Sequence, residues 1–100
     1  MRTTITARHC EVPDDVRQRA QDSADKLAKI AHRPQAVEIV FDLDHQRHLA
    51  ELKMWLPRGQ ILIASGEAPD FRSALDRAIA KLRSQLDKSD ARADRRQPAS

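Results

Sequence analysis

Residues 45–88, HQRHLAELKMWLPRGQILIASGEAPDFRSALDRAIAKLRSQLDK, decide the fold: two alternating stretches pass through a tight turn into one amphipathic, basic helix. In the helical part Phe71, Leu75, Ala78, Ile79, Leu82 and Leu86 recur at spacings of three and four, which makes a single apolar stripe that must be buried. Arg77, Lys81 and Lys88 fall roughly opposite that stripe, with Ser84 in the gap, and are expected to face solvent. Arg72 with Asp76 and Arg83 with Asp87 stand four residues apart, the spacing of ordinary helix ion pairs worth about 0.2–0.5 kcal/mol each. Those pairs need no function.

Upstream of the helix, Ala50, Leu52, Met54 and Leu56 alternate with Leu49, Glu51, Lys53 and Trp55, and a further strand spans Gln60 to Glu67. Pro57-Arg58-Gly59 between them is a hairpin turn with glycine available for positive φ, and Asp70 is the expected N-cap of the helix. Working outward, Val37, Ile39, Phe41 and Leu43 alternate with Glu38, Val40, Asp42 and Asp44, joined to the next strand by a tip at His45-Gln46-Arg47. Before them a first helix is expected, with Pro13 at its first position and Asp14 and Asp15 at the positive end of its dipole. Its apolar face is Val16, Ala20, Ala24, Leu27 and Ala31, and His32-Arg33-Pro34 stops it. Residues 2–8, RTTITAR, read as a short, half-buried first strand.

The order is β-α-β-β-β-α. Two helices of this kind bury their stripes against one face of a four-stranded sheet, which makes a two-layer α+β sandwich with the other sheet face open. The last three strands read as an antiparallel meander, and the helical connection between the first two admits a parallel crossover.

One hundred residues suit one domain, taken as residues 1–88, with SDARADRRQPAS at 89–100 expected to be a short disordered polar tail. Three aromatics in all argue against a surface that reads bases by stacking, so any nucleic-acid contact should be to backbone. The lone Cys10 rules out an internal disulfide and fits a reducing compartment. With no apolar run of membrane-spanning length and no signal-peptide apolar region, the expected address is the cytoplasm, with no membrane partner.

Candidate chemistry is thin. His9-Cys10 and His45 with His48 lack zinc-site spacing, and no metal is expected. His9 neighbours Cys10 in an extended segment and points the other way, which leaves a thiol nucleophile without a base. Gly59 and Gly66 are the only glycines and make no phosphate loop, so neither a cofactor nor an enzymatic activity is expected. The net charge of +3 is weak evidence; its placement matters more. On a bland reading the basic groups are a solvated face, and the domain is an interaction module that binds protein through its open sheet face or edge. On the sharper reading Arg77, Lys81 and Lys88, with Lys26 and Lys29 of the first helix and Arg8 at a strand end, bind phosphates of a folded RNA.

Five strings in order, ITARHCEV, DKLAKI, RHLAEL, LPRGQILIASGEAPDF and ALDRAIAKLRSQLDK, cover about residues 2–88. Together they resemble the family of ribosome hibernation-promoting factors and ribosome-associated translation inhibitors. The resemblance implies a monomer that binds the small ribosomal subunit and its 16S rRNA, in the channel used by mRNA and tRNA, and silences translation by occlusion. It assigns RNA contacts to Arg8, Lys26, Lys29, Arg77, Lys81 and Lys88, and adds Arg47 and His48. Arg83, Ser84, Asp87, Asp90 and Pro13 depart from the family pattern. A short chain of this type is expected to favour ribosome dimers through a separate ribosome modulation factor.

Overall fold

The computed structural model describes residues 1–88. Its elements are β1 (Arg2–Arg8), α1 (Asp14–Ile30), β2 (Ala36–Asp44), β3 (Arg47–Trp55), a 3-10 turn (Pro57–Gly59), β4 (Ile61–Ala68) and α2 (Phe71–Asp87). The order and the two-layer α+β sandwich are those the periodicity requires. The expected tail at 89–100 lies outside the described residues.

The elements shift by a residue or two from the pattern because of turn chemistry. His45 and Gln46 both have positive φ, 51° and 67°, which makes a two-residue hairpin turn. Asp44 and Arg47 therefore already pair across the ladder, and the tip is one residue shorter than expected. Pro13 is the N-cap of α1, with ψ 149°, instead of its first helical residue; its carbonyl accepts from the Val16 and Arg17 N–H groups at 3.0 Å.

The sheet order is β1-β2-β3-β4. β1 runs parallel to β2 through the α1 crossover, and the later pairs are antiparallel. Register lines up three rows on the helix-covered face: Ala7, Phe41, Ala50, Gly66; Ile5, Ile39, Leu52, Ala64; and Thr3, Val37, Met54, Leu62. Bulk is concentrated on β2 and β3, where Phe41, Ile39, Leu52 and Met54 are fully buried. All five expected apolar positions of α1 are buried, as are Phe71, Ala74, Leu75, Ala78, Leu82 and Leu86 of α2; Ile79 is only half-buried. Each large side chain buried this way contributes about 1.5–3 kcal/mol before entropy is counted.

α2 lies across β3 and β4. Beyond Leu62 the inward residues of β4 are small, Ala64, Gly66 and Ala68, and Ala74 and Ala78 of α2 are small in turn. A Cβ on Gly66 would lie 2.3 Å from the Ala74 carbonyl oxygen and 2.7 Å from the Ala78 nitrogen, both backbone atoms that cannot turn aside. Gly66→Ala is expected to push α2 off the sheet and cost about 2 kcal/mol or more, read as a lowered urea midpoint at unchanged slope.

The start of α2 is fixed by Asp70, whose Oδ1 accepts the Ser73 N–H at 2.7 Å while the Ser73 hydroxyl donates to Oδ2 at 3.1 Å. The Ser73 backbone N–H, then its hydroxyl, hold this carboxyl below the ordinary value of 3.8. A folded-state value below the unfolded one means the cap stabilises fully above pH 3.8 and is lost as pH falls through the folded value. Asp70→Ala should therefore lower the melting temperature at neutral pH and lose that difference in acid, measured by thermal unfolding across pH.

Candidate nucleic-acid interface

Topology sorts the charged residues before any side chain is placed. α1 follows β1 and leads into the parallel β2, so it must run back against them; α2 returns along β4 after the two-residue link Pro69-Asp70. Both helices thus end at the same end of the sheet, beside the β3–β4 turn. Lys26, Lys29 and Lys88 belong to this end, and Lys81 lies part-way along α2. Arg8, Arg47 and His48 belong to the opposite end, about 20–25 Å away along the strands.

The outer row of α2 is not a uniform set of free bases. Arg77 donates from Nη1 to the Glu67 carbonyl at 2.6 Å, and Gln85 donates from Nε2 to the Ile63 carbonyl at 2.7 Å. Both acceptors lie on the outer edge of β4, so the two side chains clamp α2 to that edge and cover carbonyls that a foreign strand could otherwise pair with. Lys81, four residues from each, overhangs the strand beside Ser65, and among the described residues its ammonium makes no such bond. Of the row expected to bind phosphate, Arg77 is partly engaged within the fold, while Lys81 and Lys88 are exposed.

Three expected contacts stand apart from the helix bases. Arg8 lies on the open sheet face and lines a concavity with Asp42, Glu51 and Glu67, whose charge offsets its own; Lys81 reaches the rim of the same concavity from the helix side. Arg47 pairs with Glu67 through Nη1 and Oε1. His48 turns to the helix side, its ring edge-on to Phe71 at 4.5 Å and 81°, with Nδ1 buried and without a hydrogen-bond partner. Phe71 meets Phe41 in the same way at 5.7 Å, so His48 belongs to an aromatic cluster that closes this end of the core.

The expected Arg72–Asp76 pair is replaced by a contact between helices. Arg19 of α1 grips Asp76 with two bonds, Nε to Oδ1 at 2.9 Å and Nη2 to Oδ2 at 3.1 Å. The planar guanidinium matches a carboxylate with two parallel bonds, which a helix neighbour at i+4 does not reproduce as well. Below this bridge a groove of about 380 Å³ runs between the helices, with Lys26 and Arg83 on its rims and Leu27, Ile30 and Ile79 in its wall.

Sequence reasoning missed two bases. The pattern reads Arg33 only as part of a helix stop and Arg58 only as part of a turn, yet both have positive φ, 51° and 66°, and both line one concavity at the basic end. The available signal was a long cationic side chain at turn positions where glycine or asparagine is conformationally cheaper.

Elsewhere the geometry offers little chemistry. His9 Nδ1 lies 3.2 Å from Asp42 Oδ1, and this contact, followed by the Leu43 N–H, holds the Asp42 carboxyl below its ordinary range. Burial, then Asp42, pushes the Cys10 thiol up, away from the thiolate. Among the described residues no three His, Cys, Asp or Glu side chains are grouped to hold a metal, and no helix is long and apolar enough to cross a membrane.

The family model described as Sigma 54 modulation protein / S30EA ribosomal protein matches residues 3–94. Two solved structures are similar. A ribosomal subunit interface protein from Coxiella burnetii is 20% identical with a TM-score of 0.77, over 88% of this chain and 96% of that one. The N-terminal domain of Thermus thermophilus Protein Y is 23% identical with a TM-score of 0.72, over 85% of this chain and 93% of that one. At these identities the likeness is one of fold.

The α2 row yields a test that separates neighbours on one helix. Arg77→Ala should lower folding stability by about 1 kcal/mol, since it removes a charged hydrogen bond to a strand carbonyl, whereas Lys81→Ala should leave the denaturation midpoint unchanged.

Proposed function

Because the chain belongs to the Sigma 54 modulation protein / S30EA ribosomal protein family, that of the ribosome hibernation-promoting factors its sequence resembles, we propose that it silences translation by occupying the small ribosomal subunit. It lies in the channel used by mRNA and tRNA, against 16S rRNA, and blocks both by its presence without catalysis. The family match over residues 3–94 carries this reading.

The distribution of cations supports it. Lys26, Lys29, Lys81 and Lys88 are exposed on the helix layer, and among the described residues none forms an ion pair with a carboxylate. These four are the principal phosphate contacts, and Arg77 adds to them with the donors its strand carbonyl leaves free. Arg8, Arg47 and His48 are secondary, at the far end. Residues 1–88 are the ribosome-binding unit, monomeric and cytoplasmic, and a separate modulation factor brings the silenced ribosomes together as dimers.

A second reading rests on Ile61 and Ile63, which are 47% and 49% exposed on the open sheet face and could serve a protein partner. Co-sedimentation with purified ribosomal subunits separates the two. The wild-type chain should pellet with the small subunit alone and be displaced by tRNA. Its log affinity should fall with log salt by about 0.9 per duplex phosphate contact. Lys81→Glu with Lys88→Glu should abolish pelleting; indifference to that double reversal would favour the sheet-face reading.

A further inference from the structure

The two arginines that the sequence hid in turns stand together. The α1–β2 loop and the β3–β4 turn enclose a concavity of about 690 Å³, lined by His32, Arg33, Gln35, Leu56, Arg58 and Gln60 among others. Among the described residues no carboxylate lines it. Arg33 and Arg58 also form no ion pair with any described residue, unlike Arg19 and Arg47, which are held by Asp76 and Glu67.

Both arginines occupy left-handed backbone, Arg33 with φ 51° and Arg58 with φ 66°. A residue with a Cβ is disfavoured there, and such outliers persist where the surroundings hold them and the side chain has a use. The surroundings do hold them. The Gln35 N–H donates to the Trp55 carbonyl at 2.8 Å, which ties the α1–β2 loop to the end of β3. The Leu56 N–H donates to the Gln60 carbonyl at 2.8 Å, which closes the turn that carries Arg58. The two loops are thus braced against each other, and the guanidinium groups are presented from fixed backbone.

We propose that Arg33 and Arg58 form a second phosphate site, distinct from the outer face of α2, that grips a backbone phosphate of ribosomal RNA at the end of the molecule. The inference rests on the small-subunit reading given above. Guanidinium is suited to this ligand because its donors form a planar fork that meets two phosphate oxygens at once. The negative end of the α1 dipole, about half a charge, points toward the same end, and two full positive charges outweigh it. The open, exposed setting selects a polyanion over a free ion, because an RNA strand gains from releasing its condensed counterions and a small anion does not. The site extends the basic end formed by Lys26, Lys29 and Lys88, so one RNA surface spans both.

The test substitutes asparagine, which tolerates left-handed backbone and removes the charge, so the fold is retained. Full-length wild type, Arg33→Asn with Arg58→Asn, and Lys81→Glu with Lys88→Glu are compared for small-subunit binding over a salt series. The asparagine pair should bind on the order of tenfold or more weaker and reduce the salt slope by about one to two units, with an unchanged melting curve. Equal affinity and slope for wild type and the asparagine pair overturn the site while leaving the small-subunit reading intact. Failure of the wild-type chain to bind overturns that reading and this inference with it. Backbone amide NMR with inorganic phosphate alone distinguishes the source: saturable shifts at Arg33 and Arg58 would mark a small-anion site and overturn the RNA assignment, whereas weak, non-saturating shifts support it.

Discussion

The close approach of α2 to β4 at Gly66 sets the rest of the arrangement. No Cβ fits there, and Ala64, Ala68, Ala74 and Ala78 keep the two backbones near each other on either side. Only at that separation do Arg77 and Gln85 reach round to the carbonyls of Glu67 and Ile63. The edge strand is thereby covered, the helix is held in one rotation, and Leu75, Leu82 and Leu86 join the core that Leu52 and Met54 also form. Lys81 then has no course except outward over the strand edge. A packing constraint on one glycine thus determines which cation of the row is left for a partner.

How far the sequence was legible follows from the same physics. Alternation in Val37–Asp44 and Ala50–Leu56 and the three-four spacing in α2 identified the elements, their order and the covered sheet face, because burial imposes those periods directly. The parallel pairing of β1 with β2 was only allowed by pattern, since periodicity within a strand carries no information about its neighbour's direction. The His45-Gln46 turn was hidden because neither residue is the glycine or asparagine that usually marks such a turn. Ala74 escaped the apolar stripe because a small residue signals packing only once the opposing Gly66 is known.

The site was less legible than the fold for a related reason. A helical wheel shows which bases point outward but not which are already engaged. Arg77, Arg19 and Arg47 are each committed to a carbonyl or carboxylate supplied by a distant element. His48 directly follows the hairpin tip, yet its register opposite Leu43 and Ala68 turns it toward Phe71. Conversely Arg33 and Arg58, far apart in sequence, line one concavity where the Gln35–Trp55 bond ties the α1–β2 loop to the end of β3. What remains is a molecule with Lys26, Lys29, Lys88, Arg33 and Arg58 at the helix C-termini and the adjoining loops, while the open sheet face carries Glu38, Asp42, Glu51 and Glu67 among its bases.

The orientation of the chain on the small ribosomal subunit, read from a single-particle reconstruction, tests this placement of the bases most directly. Density is expected in the mRNA and tRNA channel, with the outer face of α2 and the Arg33–Arg58 end against RNA and the open sheet face turned away. Density with the sheet face against RNA, or subunits that carry no bound chain at saturating protein, would contradict it.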